Sequence, residues 1–212
     1  MIITSAIALI LILSIFSSHL RVNIDSKRKL FLVLKPITII SIIVLAFAID
    51  SNPESRFSFY IKSALIISFV GDVFLMLKES KFKYGLIAFL VAHIAYSFAF
   101  IQGVFAFNFY LLISAILFSS IMLVILGNSI GKYRLVVLLY VGVLTVMFWV
   151  GINRYLFMRD QASMLISIGA ILFVISDSFL AYKKFRNNNP KYEYIILNSY
   201  FIAQLLFALS LK

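Results

Sequence analysis

Uninterrupted apolar runs of about 17–21 residues recur along this chain, and few folds can house them. Wound as an α-helix at about 1.5 Å per residue, such a run covers roughly the 30 Å of hydrocarbon in a bilayer. A membrane β-barrel would instead alternate apolar and polar residues. The runs fall at 2–18, 30–49, 61–77, 84–102, 106–126, 135–152, 162–181 and 194–211. The expectation is an all-α integral membrane protein, a bundle of eight transmembrane helices forming a single membrane domain over 1–212. The connections are too short for a soluble domain. Composition agrees: 63% of residues are hydrophobic and 13% charged, against about half and a quarter in soluble domains. No basic segment precedes the first run and no small-residue cleavage site follows it, so it is expected to be a retained helix rather than a signal peptide.

The formal charge of +11 does not point to nucleic acid, because the basic residues sit in short loops. Arg21, Lys27, Arg28 and Lys29 follow the first run, and Lys78, Lys81 and Lys83 the third. Lys132 and Arg134 follow the fifth, and Lys183, Lys184, Arg186 and Lys191 the seventh. These odd loops hold thirteen basic residues, whereas the even ones hold three, Arg56, Arg154 and Arg159. Positive charge stays on the cytoplasmic side, so the N-terminus and C-terminus are both expected outside. The chain has no cysteine, which excludes disulfides and thiolate metal sites.

An offset of 105 residues lays the third run on the seventh. Phe69-Val70-Gly71-Asp72-Val73-Phe74-Leu75 falls on Val174-Ile175-Ser176-Asp177-Ser178-Phe179-Leu180. The Phe and Leu matches carry little weight in so apolar a chain. The Asp match carries more, since each is the sole acid of its run. The same offset lays Lys35 on Tyr140 and His93 on Asn198. The expectation is two pseudo-repeats, about 1–105 and 106–212, of four helices each. With an even number of spans the halves are parallel, related by an axis along the membrane normal.

Polar residues inside a bilayer are costly, an Asp near a helix centre about 3 kcal/mol, and they usually face a cavity, a partner or a substrate. Asp72 and Asp177 are expected at matching depth in the cytoplasmic half, facing each other across the axis. The plainer alternative is that each pairs with a Lys or Tyr to lock helices together. Lys35, just before Pro36 and near the start of its run, could pair with an Asp, hold a lipid phosphate, or snorkel to the interface. His93 and Tyr96 share one helix face, as do Tyr200 and Gln204. Asn198 points nearly opposite to Tyr200 on an ideal helix. His19 and Trp149 are read as interfacial. No HExxH, Walker loop, GxSxG or His-Cys cluster is present, so neither a metal nor another cofactor is expected.

Taken together, Lys35-Pro36, the run Gly71 to Met76, His93 with Tyr96, Ser176-Asp177-Ser178, and Tyr200 with Ala203-Gln204 resemble the pattern of the YhhN family over essentially the whole chain. Characterised animal members of that family are lysoplasmalogenases. The resemblance implies hydrolysis of the vinyl-ether bond of a lysoplasmalogen to a long-chain aldehyde and a glycerophospho-ethanolamine or -choline. Asp72 and Asp177 would be the catalytic pair, and Lys35 would hold the phosphate. His93, Tyr96, Asn198, Tyr200 and Gln204 would surround the substrate. The partners would be a lysophospholipid, water and bilayer lipids, with no obligate protein partner, in the cytoplasmic membrane of a bacterium. A transporter or flippase is the alternative, since parallel repeats and intramembrane acids suit that too. No span is broken by paired Gly or Pro near its middle, which counts against it.

Overall fold

The computed structural model describes residues 2–23, 28–77 and 79–212. Lys27 and Lys78, counted above among the loop charges, lie outside them, as does the side chain of Arg28. Helix is the only regular secondary structure among the described residues. Its segments are α1 (Ile2–Asn23), α2 (Arg28–Ile49), α3 (Arg56–Met76), α4 (Phe82–Phe100), α5 (Phe109–Leu126), α6 (Arg134–Met158), α7 (Gln161–Phe185) and α8 (Tyr192–Leu209).

By length and hydropathy these segments form seven stretches able to cross a membrane, because Phe109–Met158 runs on as a single helical stretch. A 3-10 segment, Gly127–Tyr133, joins α5 to α6. Gly127 and Gly131 in it have φ of 52° and 51°. That region of backbone space suits glycine, which has no Cβ to clash. Beyond this turn α6 packs back along α5, where the hydroxyls of Ser119 and Thr145 bond at 2.6 Å.

The helices outrun the apolar windows at both kinds of end. Arg154 was counted as a loop charge, but it lies inside α6 and is largely buried. Its guanidinium donates to the carbonyls of Phe100, at 3.2 Å, and Gln102 at the end of α4. Those carbonyls have no N–H of their own helix to bond, so a cation there is favourable. Likewise α2 starts at Arg28, which puts Pro36 within the helix rather than in its first turn. Elsewhere, α3, α5 and α7 start on side-chain caps. Asp160 accepts from the Ser163 N–H at 2.7 Å, and Ser163 answers with its hydroxyl toward the Asp160 N–H, a capping box that starts α7.

Helix pairs α3–α4 and α7–α8 pack most closely, and each half is organised alike: α2 beside α3, α6 beside α7. Gly71 lets α3 approach α4, since a Cβ there would sit 2.7 Å from the Phe89 ring. Across the halves, α4 packs on α6 and α8 on α2. The core between them is aromatic, with Phe100, Phe173, Phe201 and Phe207 almost wholly buried. The outer faces carry Leu, Ile, Val and Phe in quantity, as suits helices bathed in hydrocarbon. At the end opposite the basic loops, Asp50 accepts hydrogen bonds from Lys62, Ser58 and the Asn52 N–H. Burial opposes its charge, but these donors outweigh burial and hold its carboxyl below the usual carboxylate range.

Candidate active site

Asp72 and Asp177 line one cavity of about 370 Å³. Lys35 and Tyr200 share its wall, and Phe89 closes one side. The cavity reaches Arg21, Lys183, Lys184 and Glu193, at the end of the bundle that carries the basic odd loops. Both carboxylates are almost fully buried.

Their partners follow a pattern. Asp72 receives the Lys35 ammonium at 2.7 Å and the Tyr200 hydroxyl at 2.6 Å. Asp177 receives the Tyr140 hydroxyl at 2.6 Å, with His93 Nε2 at 3.2 Å. Each acid thus has one partner from the preceding helix of its own half, Lys35 on α2 or Tyr140 on α6. The other partner comes from the last helix of the opposite half, Tyr200 on α8 or His93 on α4. Lys35 and Tyr140 are 105 positions apart, as are the two acids. The chemistry of the two sites differs all the same. Asp72 sits in a buried ion pair, whereas a phenol and an imidazole face Asp177.

Behind the acids lies an aromatic layer. The Phe173 ring, one turn before Asp177, meets His93 edge-on at 4.7 Å and Tyr200 at 5.5 Å. It fixes both side chains from below. His93 Nε2 also lies 3.4 Å from the Tyr140 hydroxyl, while its Nδ1 is buried without a hydrogen-bond partner. Pro36 has no N–H to give the Leu32 carbonyl four residues back, and Leu32 is part of the cavity wall.

Of the residues singled out from the sequence, Asp72, Asp177, Lys35 and Tyr200 meet at the cavity, and His93 touches Asp177. Tyr96 and Gln204 do not line it. They are fully buried and bonded to each other, the Tyr96 hydroxyl donating to Gln204 Oε1. Asn198 faces away: its side chain bonds Ser14 and Ser18 of α1, at 3.1 and 3.2 Å, and the Tyr194 carbonyl. It clasps α8 to α1, as its position on the far side of the helix from Tyr200 requires. Tyr140 also belongs to the site, and in the sequence only its 105-residue offset from Lys35 marks it. Nothing in the sequence pairs the mouth residues Glu193, Lys183 and Arg21. Glu193 takes Lys183 at 2.6 Å and Arg21 at 3.4 Å, which ties α7 and α1 to α8 beside the opening.

The YhhN family matches residues 30–211, nearly the whole chain. This protein belongs to the YhhN family. Its relatives include the bovine (Bos taurus) lysoplasmalogenase TMEM86A, 30% identical over 150 residues, a match covering 69% of this chain and 62% of that one. The pig (Sus scrofa) lysoplasmalogenase TMEM86B is 29% identical over 179 residues, covering 84% and 74%. The membrane protein YhhN of Shigella flexneri is 23% identical over 180 residues, covering 84% and 86%. No solved structure matches. With its apolar helices and these relatives, this member of the family is a membrane protein.

Proposed function

We propose that this protein is a membrane-embedded lysoplasmalogenase-like ether hydrolase that cleaves the vinyl-ether bond of a lysoplasmalogen with Asp72 and Asp177 as its acid–base pair. The observation that carries this reading is the convergence of two buried carboxylates on one cavity within a lysoplasmalogenase-containing family. The chain spans 62% of the length of its bovine relative, so that protein's activity is carried over here as a proposal.

The chemistry asks for what the site holds. A vinyl ether hydrolyses when an acid delivers a proton to its β-carbon, the C=C electrons forming the new C–H bond. The α-carbon then shares the positive charge with the ether oxygen. Water adds to that carbon and gives a proton to a carboxylate. The hemiacetal collapses to an aldehyde as the C–O bond breaks, and the glycerol oxygen leaves with a proton. One carboxyl must donate while a negative charge stands near the cation, and two buried carboxyls on one cavity provide both. Tyr140, Tyr200 and His93 hold the pair in position. The Lys35 ammonium has three N–H donors and spends one on Asp72, so it retains donors for a phosphate, with Arg21 and Lys183 nearer the mouth. The products would be a long-chain aldehyde and glycerophospho-ethanolamine or -choline.

The topology that goes with this reading has eight crossings, with the Phe109–Met158 stretch folded into a hairpin at Gly127–Tyr133. A straight helix of that length would reach roughly 75 Å, far beyond a bilayer. Asp72 then opens toward the cytoplasm, both termini lie outside, and the halves are parallel pseudo-repeats. The near-complete match to the Shigella protein favours a bacterial cytoplasmic membrane. A single cysteine at position 81 should be protected from an impermeant thiol reagent on intact cells, and one at the C-terminus labelled. The reverse pattern would overturn this orientation.

The mechanism has its own signature. In heavy water, hydrolysis should slow and deposit one deuterium on the carbon next to the aldehyde, read by mass spectrometry. Aldehyde formed without that label would exclude carbon protonation.

A further inference from the structure

We propose that a second cavity, between α5, α6 and α7, seats the single hydrocarbon chain of the substrate, and that its depth sets the chain length accepted. The inference rests on the ether-hydrolase reading above and extends it to specificity.

This cavity measures about 450 Å³ and is almost entirely apolar. It is separate from the polar one, yet Phe82, Asp177 and Leu180 line both. Asp177 is therefore the point where an apolar compartment meets one that holds Lys35, Arg21 and Lys183. A lysophospholipid has the same order: a chain, a reactive bond, then glycerol and phosphate. Laid across the two cavities with its phosphate toward the basic mouth, the molecule brings its vinyl ether to Asp177.

The cavity comes from a departure from pseudo-symmetry. In the first half, Ser14 of α1 bonds Asn198 of α8 at 3.1 Å, and α1 packs along α8. The matching residues in the second half, 105 positions away, are Ser119 of α5 and His93 of α4. They turn to other partners: Ser119 to Thr145, and His93 to Asp177. The space that an α5–α4 contact would have filled lies open. Leu111, Ala115, Phe118 and Met122 of α5 face it at helical spacing, and along the whole of α5 only Ala115 and Leu126 are buried. A larger, mostly apolar groove between α1, α2 and the start of α7 shares no residue with the polar cavity and reaches Ser210 and Lys212 at the opposite end.

A chain forced into a space already filled by a side chain binds about tenfold or more weakly. Ala115→Phe fills part of the cavity and should shorten the preferred chain. The kcat/KM ratio of 18-carbon over 10-carbon alkenyl lysolipids should fall by at least about tenfold relative to wild type. An unchanged ratio in a folded variant would overturn the proposal. A second measurement needs neither the variant nor turnover. A non-hydrolysable alkyl lysophospholipid with a diazirine at its chain end, photolysed with the wild-type protein, should label peptides of α5, α6 or the 171–181 part of α7. Labelling confined to α1, α2 and α8 would overturn it. If wild type hydrolyses no vinyl ether, the reaction reading fails, and the cross-link still decides where the chain lies.

Discussion

Asp177→Asn should lower turnover of a lysoplasmalogen by at least roughly a hundredfold, the low end for lost general acid–base catalysis, while the protein still folds. The substitution is nearly isosteric and removes one charge and one transferable proton. No Lys or Arg pairs with Asp177 among the described ion pairs, so no lysine or arginine is stranded, and the Tyr140 hydroxyl keeps an acceptor. Asp72→Asn should cost a similar factor in turnover, but it is the less clean test. The 2.7 Å contact with Lys35 means that losing the Asp72 charge leaves a buried ammonium unmatched. If the acids act as a unit, the double variant should be little worse than the worse single one. Steady-state kinetics on purified, monodisperse protein gives the answer. Near-normal hydrolysis by both single variants would end the acid-pair account.

Lys35→Met should destabilise the fold by about 3–5 kcal/mol, the usual cost of stranding one member of a buried ion pair. Both partners are buried, so the Asp72 charge would stay in a largely desolvated site without its cation. Adding Asp72→Asn should recover most of that loss, because a neutral amide beside Met and the Tyr200 hydroxyl strands no charge. Unfolding of the three variants in detergent measures the difference. A Lys35→Met protein as stable as wild type would mean that the lysine contributes only at the headgroup and does not hold α2 to α3.

The length and apolarity of the runs made the membrane fold readable from the sequence, because the bilayer constrains helices more tightly than water does. Helix ends were less readable. A hydropathy window stops at Asn153 and Arg154, whereas the backbone continues to bond through them and Arg154 becomes the cap of α4. The two acids could be found because one of each stands alone in an apolar run. Their partners divided by chemistry. Lys35 stood out as a charge, but Tyr140 is one of eleven tyrosines and had only the 105-residue offset to mark it. Tyr96 and Gln204 bond to each other in the core, and at sequence level a buried pair looks like two site residues. The apolar cavity had no sequence mark at all. It opens between α5, α6 and α7, and only their packing in three dimensions brings its lining together.

The most direct measurement is mass spectrometry of the purified protein incubated with a mixture of alkenyl, alkyl and acyl lysophospholipids. The account predicts loss of the alkenyl species alone, with matching yields of long-chain aldehyde and glycerophospho-ethanolamine or -choline. An unchanged alkenyl lipid in a well-folded preparation would contradict it and leave transport as the better reading of the paired acids.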